Sequence, residues 1–287
     1  MASRVFMPMG IGLDGWLMDW LMEDIGRGDR TTQGLSLQSH QQIEGRWVAK
    51  ARGRVAGLEI ANRVFQLLDA NTHLMPLLSE GEVCSPGEAI AKLEGSLAAL
   101  LMGERVALNL GMRLSGIATA TREYVDRIAD LPTQFVDTRK TTPGLRVLEK
   151  YASQVGGAVN HRMGLDDAVM IKDNHIAVAG GIGEAIAQIR QRIPYPLTIE
   201  VETETLAQVQ EALEHKADII MLDNMSVEQM TEAVSLIRQS SDRVKIEASG
   251  NVTLETIRAI AETGVDYISS SAPITRSPWL DLSMKLG

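Results

Sequence analysis

Residues 197–223 read LTIEVETETLAQVQEALEHKADIIMLD. A short apolar run (197–202) is followed by a loop and a helical stretch, then by a second apolar run (218–223). Four further runs keep the same rhythm, at 134–137, 168–172, 244–248 and 265–270. Strand ends spaced by roughly 20 to 35 residues leave room for crossover helices, so the pattern predicts parallel strands. Repeated βα units without a dinucleotide-binding glycine fingerprint point to a barrel rather than a doubly wound sheet. The six runs fall short of the eight strands of a full barrel. Either a seventh strand lies near residues 157–160 or the barrel is incomplete.

The preceding part of the chain has a different texture. Residues 11–23 place Leu13, Trp16, Leu17, Trp20 and Leu21 on one side of an amphipathic helix. A polar, glycine-bearing loop is expected at 23–32. Short strands are expected at 47–50, 54–58 and 89–93, with a helix at 59–68 and a turn at Ser85-Pro86-Gly87. Ser96 is placed to cap a long helix running to about Ser115. This reads as a compact α+β unit, and the expected domains are 1–111 and 112–287, the last helix packing back on the first domain.

Bulk properties exclude several classes. The chain has 287 residues, 45% hydrophobic and 23% charged, which is ordinary globular composition. One cysteine, Cys84, rules out a disulfide scaffold and a thiolate metal site, and fits a reducing compartment. A formal charge of -9 repels nucleic acid and anionic membranes. Asp14, Asp19, Glu23 and Asp24 interrupt the early apolar clusters, unlike a secretory signal. No charge-free window is long enough to span a bilayer. The expectation is a cytoplasmic protein with neither nucleic-acid nor membrane partners. His40, His73 and His215 lie in polar surroundings and read as surface.

The strand endings hold the chemistry. They are Asp137 with Arg139 and Lys140, then Lys172, Glu200 with Glu202, Asp223, Glu247 with Ser249, and Ser269 to Ser271. In parallel βα barrels the site lies at the carboxyl ends of the strands, so these groups ring one mouth. Alternation puts Glu200 and Glu202 on one face, inward, with Ile199 and Val201 toward the helices. Charge also sorts by sign. Arg139, Lys140, His161, Arg162 and Lys172 come early; Glu202 and Asp223 come late. The cations suit a small polyanion, and the carboxylates suit Mg²⁺. Gly250 and Asn251 could form a phosphate-accepting turn. Each feature has a bland alternative: a solvated Arg-Lys pair, an exposed Glu-x-Glu edge strand, an Asp223 that merely caps the next helix. Together those alternatives must explain charged residues at the ends of consecutive strands.

The run Asp137-Thr138-Arg139-Lys140-Thr141-Thr142-Pro143-Gly144, with Asn160-His161-Arg162-Met163-Gly164-Leu165 and Ile171-Lys172-Asp173-Asn174-His175, resembles the quinolinate phosphoribosyltransferase family. Glu23 to Gly26, Gly28-Asp29, Thr31, Glu104-Arg105, Glu200 to Glu202, Leu222 to Asn224 and Glu247 to Gly250 extend the likeness nearly end to end. The resemblance implies an α/β fold: an amino-terminal α/β sandwich domain followed by an incomplete parallel β/α barrel. It implies a homodimer or an assembly of dimers, in which Arg105 reaches the partner's site. By itself Arg105 would read as a solvated helix arginine.

The resemblance further implies Mg²⁺-dependent transfer of phosphoribosyl from phosphoribosyl pyrophosphate to quinolinate, giving nicotinate mononucleotide, carbon dioxide and pyrophosphate. Lys140, Lys172, Glu202 and Asp223 would be catalytic, the last two holding the metal. Arg105, Arg139, His161, Arg162 and Lys172 would hold quinolinate. Lys140, Ser249, Gly250, Asn251, Ser270 and Ser271 would meet the phosphorylated sugar. The segment 269–277 departs from the family's glycine near Ser271 and histidine at Arg276. Two alternatives stay open: a related phosphoribosyltransferase of a branch associated with molybdenum uptake, and a non-catalytic barrel that binds an anionic metabolite.

Overall fold

The computed structural model describes residues 12–34 and 41–287. The chain divides into two compact units, one of 1–121, 147–156 and 276–287, the other of 122–146 and 157–275. A division between the units falls near 121, inside one long helix.

The first unit opens with α1 (Leu13–Ile25), α2 (Arg30–Gly34), β1 (Gln42–Ala49), β2 (Gly53–Arg54) and α3 (Leu58–Leu68). It continues with β3 (His73–Pro76), β4 (Val83–Cys84), β5 (Ala89–Ser96) and α4 (Leu97–Arg127). Leu13, Leu17 and Leu21 bury one face of α1, as their spacing requires. The expected loop at 23–32 is partly helical. Asp29 accepts the backbone N–H groups of Thr31 and Thr32, satisfying the donors that open α2. The expected strand at 54–58 is cut short, because the Glu80 carboxylate accepts the N–H groups of Gly57 and Leu58 and so starts α3. The helix after Ser96 runs to Arg127, beyond the expected Ser115.

In the second unit β6 (Gln134–Val136), α5 (Arg146–Val155, largely in the first unit), β7 (Val169–Ile171), α6 (Asp173–Ala179) and α7 (Ile182–Arg190) come first. Then follow β8 (Ile199–Thr203), α8 (Leu206–Glu214), β9 (Ile219–Asp223), α9 (Val227–Ser240), β10 (Lys245–Ser249), α10 (Ile257–Glu262), β11 (Tyr267–Ser269) and α11 (Ala272–Thr275). The last element, β12 (Leu282–Leu286), returns to the first unit and pairs antiparallel with β1. A strand therefore ends the chain, where a helix was expected. Gly116 permits this return, since a Cβ there would sit 2.1 Å from the Pro278 carbonyl oxygen.

The first unit's main sheet has the order β12-β1-β5-β3, all antiparallel. The second unit's sheet has the order β6-β11-β10-β9-β8-β7, all parallel. The stretch expected to hide a seventh strand contributes one parallel bridge, Val159 to Val136. This is the α/β sandwich and incomplete β/α barrel that the sequence suggested. Ile199, Val201, Ile220, Leu222, Ile246 and Ala248 are buried in one apolar cluster with Val209, Ile237 and Ile257 of the helices. The alternate residues of the strands are left to line the other face. His73 and His215 are exposed as expected, while His40 and Ile11 lie outside the described residues. Among the described residues no helix is long and apolar enough to cross a membrane.

Candidate active site

The carboxyl ends of the parallel strands surround a cavity of about 580 Å³ within the second unit. Arg139, Lys140, His161, Arg162 and Lys172 line it, as do Glu202, Asp223, Ser249, Gly250 and Asn251. Early cations and late carboxylates thus meet in one space. Ser269 lines it too. Ser270 and Ser271 turn away into local structure: Ser270 Oγ accepts the Ala272 N–H, and the Ser271 carbonyl accepts from Ile274 and Thr275 at the start of α11. Arg105 lies exposed on α4 in the first unit.

The cationic wall is crowded. Burial, then the charge of neighbouring Arg139, hold the Arg162 guanidinium below its usual range. Among the described residues the buried Arg139 Nε–H finds no hydrogen-bond acceptor. Two like charges pressed together with an unspent buried donor are unfavourable unless an anion completes the group. Arg162 Nη1 donates to the Ala168 carbonyl at 2.8 Å, which fixes its stem.

The acidic wall has two levels. At the mouth, Lys172 Nζ pairs with Glu202 Oε2. Asp223 Oδ2 accepts the Asn224 side-chain amide at 2.7 Å. Asn224 sits at φ 54 and its Oδ1 accepts from Asn251 at 3.2 Å, tying Asp223 to the turn at 249–251. A Cβ on Gly250 would lie 2.2 Å from Asn224 Oδ1, so this turn requires glycine. Below the mouth, Glu200 and Glu247 are nearly fully buried and both face His161. Burial, then the charge of Glu200, push the Glu247 carboxyl up to about 7.

β8 lies inside the sheet between β9 and β7, so Glu200 and Glu202 do not sit on an edge. Ser226, not Asp223, caps α9, its side chain accepting the Gln229 N–H. Asp223 and Glu202 are oxygen donors on the cavity face of adjacent strands, a donor set that fits Mg²⁺.

Three residues were visible in the sequence motifs but had no role assigned there. Asp137, at the end of the first apolar run, is buried and accepts from Asn160 Nδ2 at 2.7 Å and the His161 N–H at 2.8 Å. Asn224 stood only beside Asp223 in its motif. Glu247 looked like any other strand ending.

Residues 29–115 match the quinolinate phosphoribosyl transferase N-terminal domain and residues 117–285 its C-terminal domain. A probable nicotinate-nucleotide pyrophosphorylase [carboxylating] of Synechocystis is 62% identical, covering 99% of this chain and 96% of that protein. The Bacillus subtilis protein of the same name is 47% identical over 93% of this chain and 91% of its own length. The crystal structure of NadC from Streptococcus pyogenes superposes with a TM-score of 0.93 at 42% identity, covering 99% of both chains. The chain belongs to the quinolinate phosphoribosyltransferase family.

Proposed function

We propose that this chain transfers the phosphoribosyl group of phosphoribosyl pyrophosphate to quinolinate, releasing pyrophosphate and carbon dioxide and leaving nicotinate mononucleotide. The observation that supports this reading most is the crowded pair Arg139 and Arg162, one with an unspent buried donor. Quinolinate carries two adjacent carboxylates, which such a wall would neutralise. Lys172 and His161 stand in the same wall, and Arg105 would add a further cation from a partner subunit of a homodimer or an assembly of dimers.

Glu202 and Asp223 would hold Mg²⁺, which when bound would offset the charge on departing pyrophosphate. Lys140 would lie against the phosphates. The turn at Ser249, Gly250 and Asn251 would accept the 5′-phosphate through its N–H groups. The pyridine nitrogen donates its electron pair to the ribose carbon as the bond to pyrophosphate oxygen breaks. The ring, now cationic, accepts the electron pair left when the bond to the 2-carboxylate breaks. That carbon then takes a proton, and the products balance. Nothing in this sequence needs a covalent enzyme intermediate; positioning and fixed charge supply the catalysis. We infer a cytoplasmic location from composition.

The test is direct. Purified protein, quinolinate, phosphoribosyl pyrophosphate and Mg²⁺ should yield nicotinate mononucleotide and pyrophosphate in equal amounts. Pyrophosphate release without the nucleotide, or no turnover at all, would reject the assignment.

A further inference from the structure

His161 is gripped from every side that hydrogen bonding can reach. Its Nε2 lies 3.2 Å from Glu200 Oε2 and 3.5 Å from Glu247 Oε2. Its Nδ1 accepts the backbone N–H of Arg162 at 2.7 Å. Its own N–H donates to Asp137 Oδ1. A nitrogen that accepts a hydrogen bond carries no proton, so the proton of this ring is on Nε2, between the two carboxylates.

This tautomer separates two readings of the cluster. The ligand atoms of His161, Glu200 and Glu247 lie within 4.8 Å of one another, a spacing that a metal ion could use. An imidazole that binds a metal through Nε2 keeps its proton on Nδ1 and donates it to an acceptor. Here Nδ1 faces a donor, so the cluster is built around a proton. The same tautomer separates His161 from the cations around it. Its one ring N–H is directed at the Glu200 and Glu247 carboxylates.

A second cavity of about 340 Å³ lies on the amino-terminal side of the strands, lined by Thr198, Ile219, Lys245 and Tyr267 among others. His161, Arg162 and Glu247 line both cavities and so form the partition between them. Whatever holds the partition still also holds Arg162 in the wall of the upper cavity.

We propose that Glu200 and Glu247 are positioning residues that lock His161 as the Nε2–H tautomer, and that His161 in turn fixes the Arg162 backbone for quinolinate. The proposal rests on the function argued above for the choice of ligand, though not for the tautomer. Two full negative charges under a site for a dianion would oppose binding. Among the described residues Oε1 of each carboxylate is buried without a hydrogen-bond partner, and the raised Glu247 is the group that would keep a proton near neutrality. Ser269 and Lys172 are the other polar groups that act on it.

Two experiments test this. The first needs no activity. The protein has five histidines, so ¹⁵N-histidine labelling with His161→Gln as the assignment control isolates the His161 ring. The expected spectrum at neutral pH shows a proton on Nε2 and none on Nδ1, unchanged by quinolinate. A doubly protonated ring, or a proton on Nδ1, would overturn the proposal even in an enzyme that makes nicotinate mononucleotide. The second is a double-mutant cycle on the KM for quinolinate. Glu247→Leu should raise it about 10-fold and leave the KM for phosphoribosyl pyrophosphate unchanged, and Glu247→Gln should restore most of the loss. In a His161→Gln background Glu247→Leu should add nothing, because its effect travels through the ring. An undiminished 10-fold effect in that background would show that Glu247 acts elsewhere. A Glu247→Leu protein that does not fold leaves the labelling result to decide.

Discussion

Glu200 and Glu202 leave β8 on the same face, two residues apart, and meet opposite surroundings. Glu202 is at the mouth of the barrel beside Lys172, whose side chain is 44% exposed. Glu200 is one layer deeper, 4% exposed, and faces His161 and a second buried acid. At the mouth, charge is paired across open space that a ligand and a metal can enter. On the floor, charge is desolvated and held by hydrogen bonds within the protein. Burial changes what a carboxylate is for: the mouth acids are free to exchange partners, and the floor acids fix one geometry.

The largest effect should come from the mouth. Glu202→Gln and Asp223→Asn are each expected to lower turnover by about 100-fold or more, as for removal of a group that stabilises transition-state charge. Their quinolinate affinity should change little. Titration of rate against Mg²⁺ checks this, and wild-type rates at limiting Mg²⁺ would move the metal assignment elsewhere.

Next comes the cationic wall between the two levels. Arg139→Ala or Arg162→Ala should raise the quinolinate KM by roughly 10- to 100-fold, the loss of one charge-assisted pair. Nicotinate binding, which lacks the 2-carboxylate, should suffer less. Arg105→Ala and Lys172→Ala should each be nearly inactive, yet recover roughly a quarter of wild-type activity when their subunits are exchanged, because half the dimers would be mixed and hold one intact site. Mass-labelled partners establish that exchange has occurred. Proven exchange with no recovery would place Arg105 within its own subunit's chemistry or outside it.

The smallest effect concerns the floor and is one of stability. The Glu247 pKa is raised from 4.5 to about 7, so the native state binds more protons than the unfolded chain between those values. Stability attributable to this group is therefore greatest below pH 4.5 and falls as pH rises toward 7. Relative to Glu247→Gln, wild type should lose roughly 1 to 3 kcal/mol between pH 5 and 7 in denaturant titrations. A parallel pH dependence in both proteins would mean that Glu247 ionises freely on the floor.

The strands, their order of charge and the inward face of β8 could be read from period-two alternation and from what ended each apolar run. Depth could not. Glu200 and Glu202 look alike in sequence because alternation fixes a side chain's face and says nothing about its neighbours. Glu200 is made a floor residue by His161, which comes from a loop 39 positions earlier. The role of Asp137 was not legible for the same reason, since its partners Asn160 and His161 are remote in sequence. β12 was missed because its partner β1 lies at the other end of the sequence. Ser270 and Ser271 were expected at the cavity, but Ser269 lines it, while Ser270 Oγ and the Ser271 carbonyl are engaged at the start of α11.

The central claim is that the wall of Arg139, Arg162 and Lys172 recognises a dicarboxylate. Calorimetry of the wild-type protein with quinolinate and with nicotinate tests it most directly. Loss of one carboxylate removes at least one charge-assisted pair, so quinolinate should bind about 10- to 100-fold more tightly. Equal affinity for the two acids would contradict the claim.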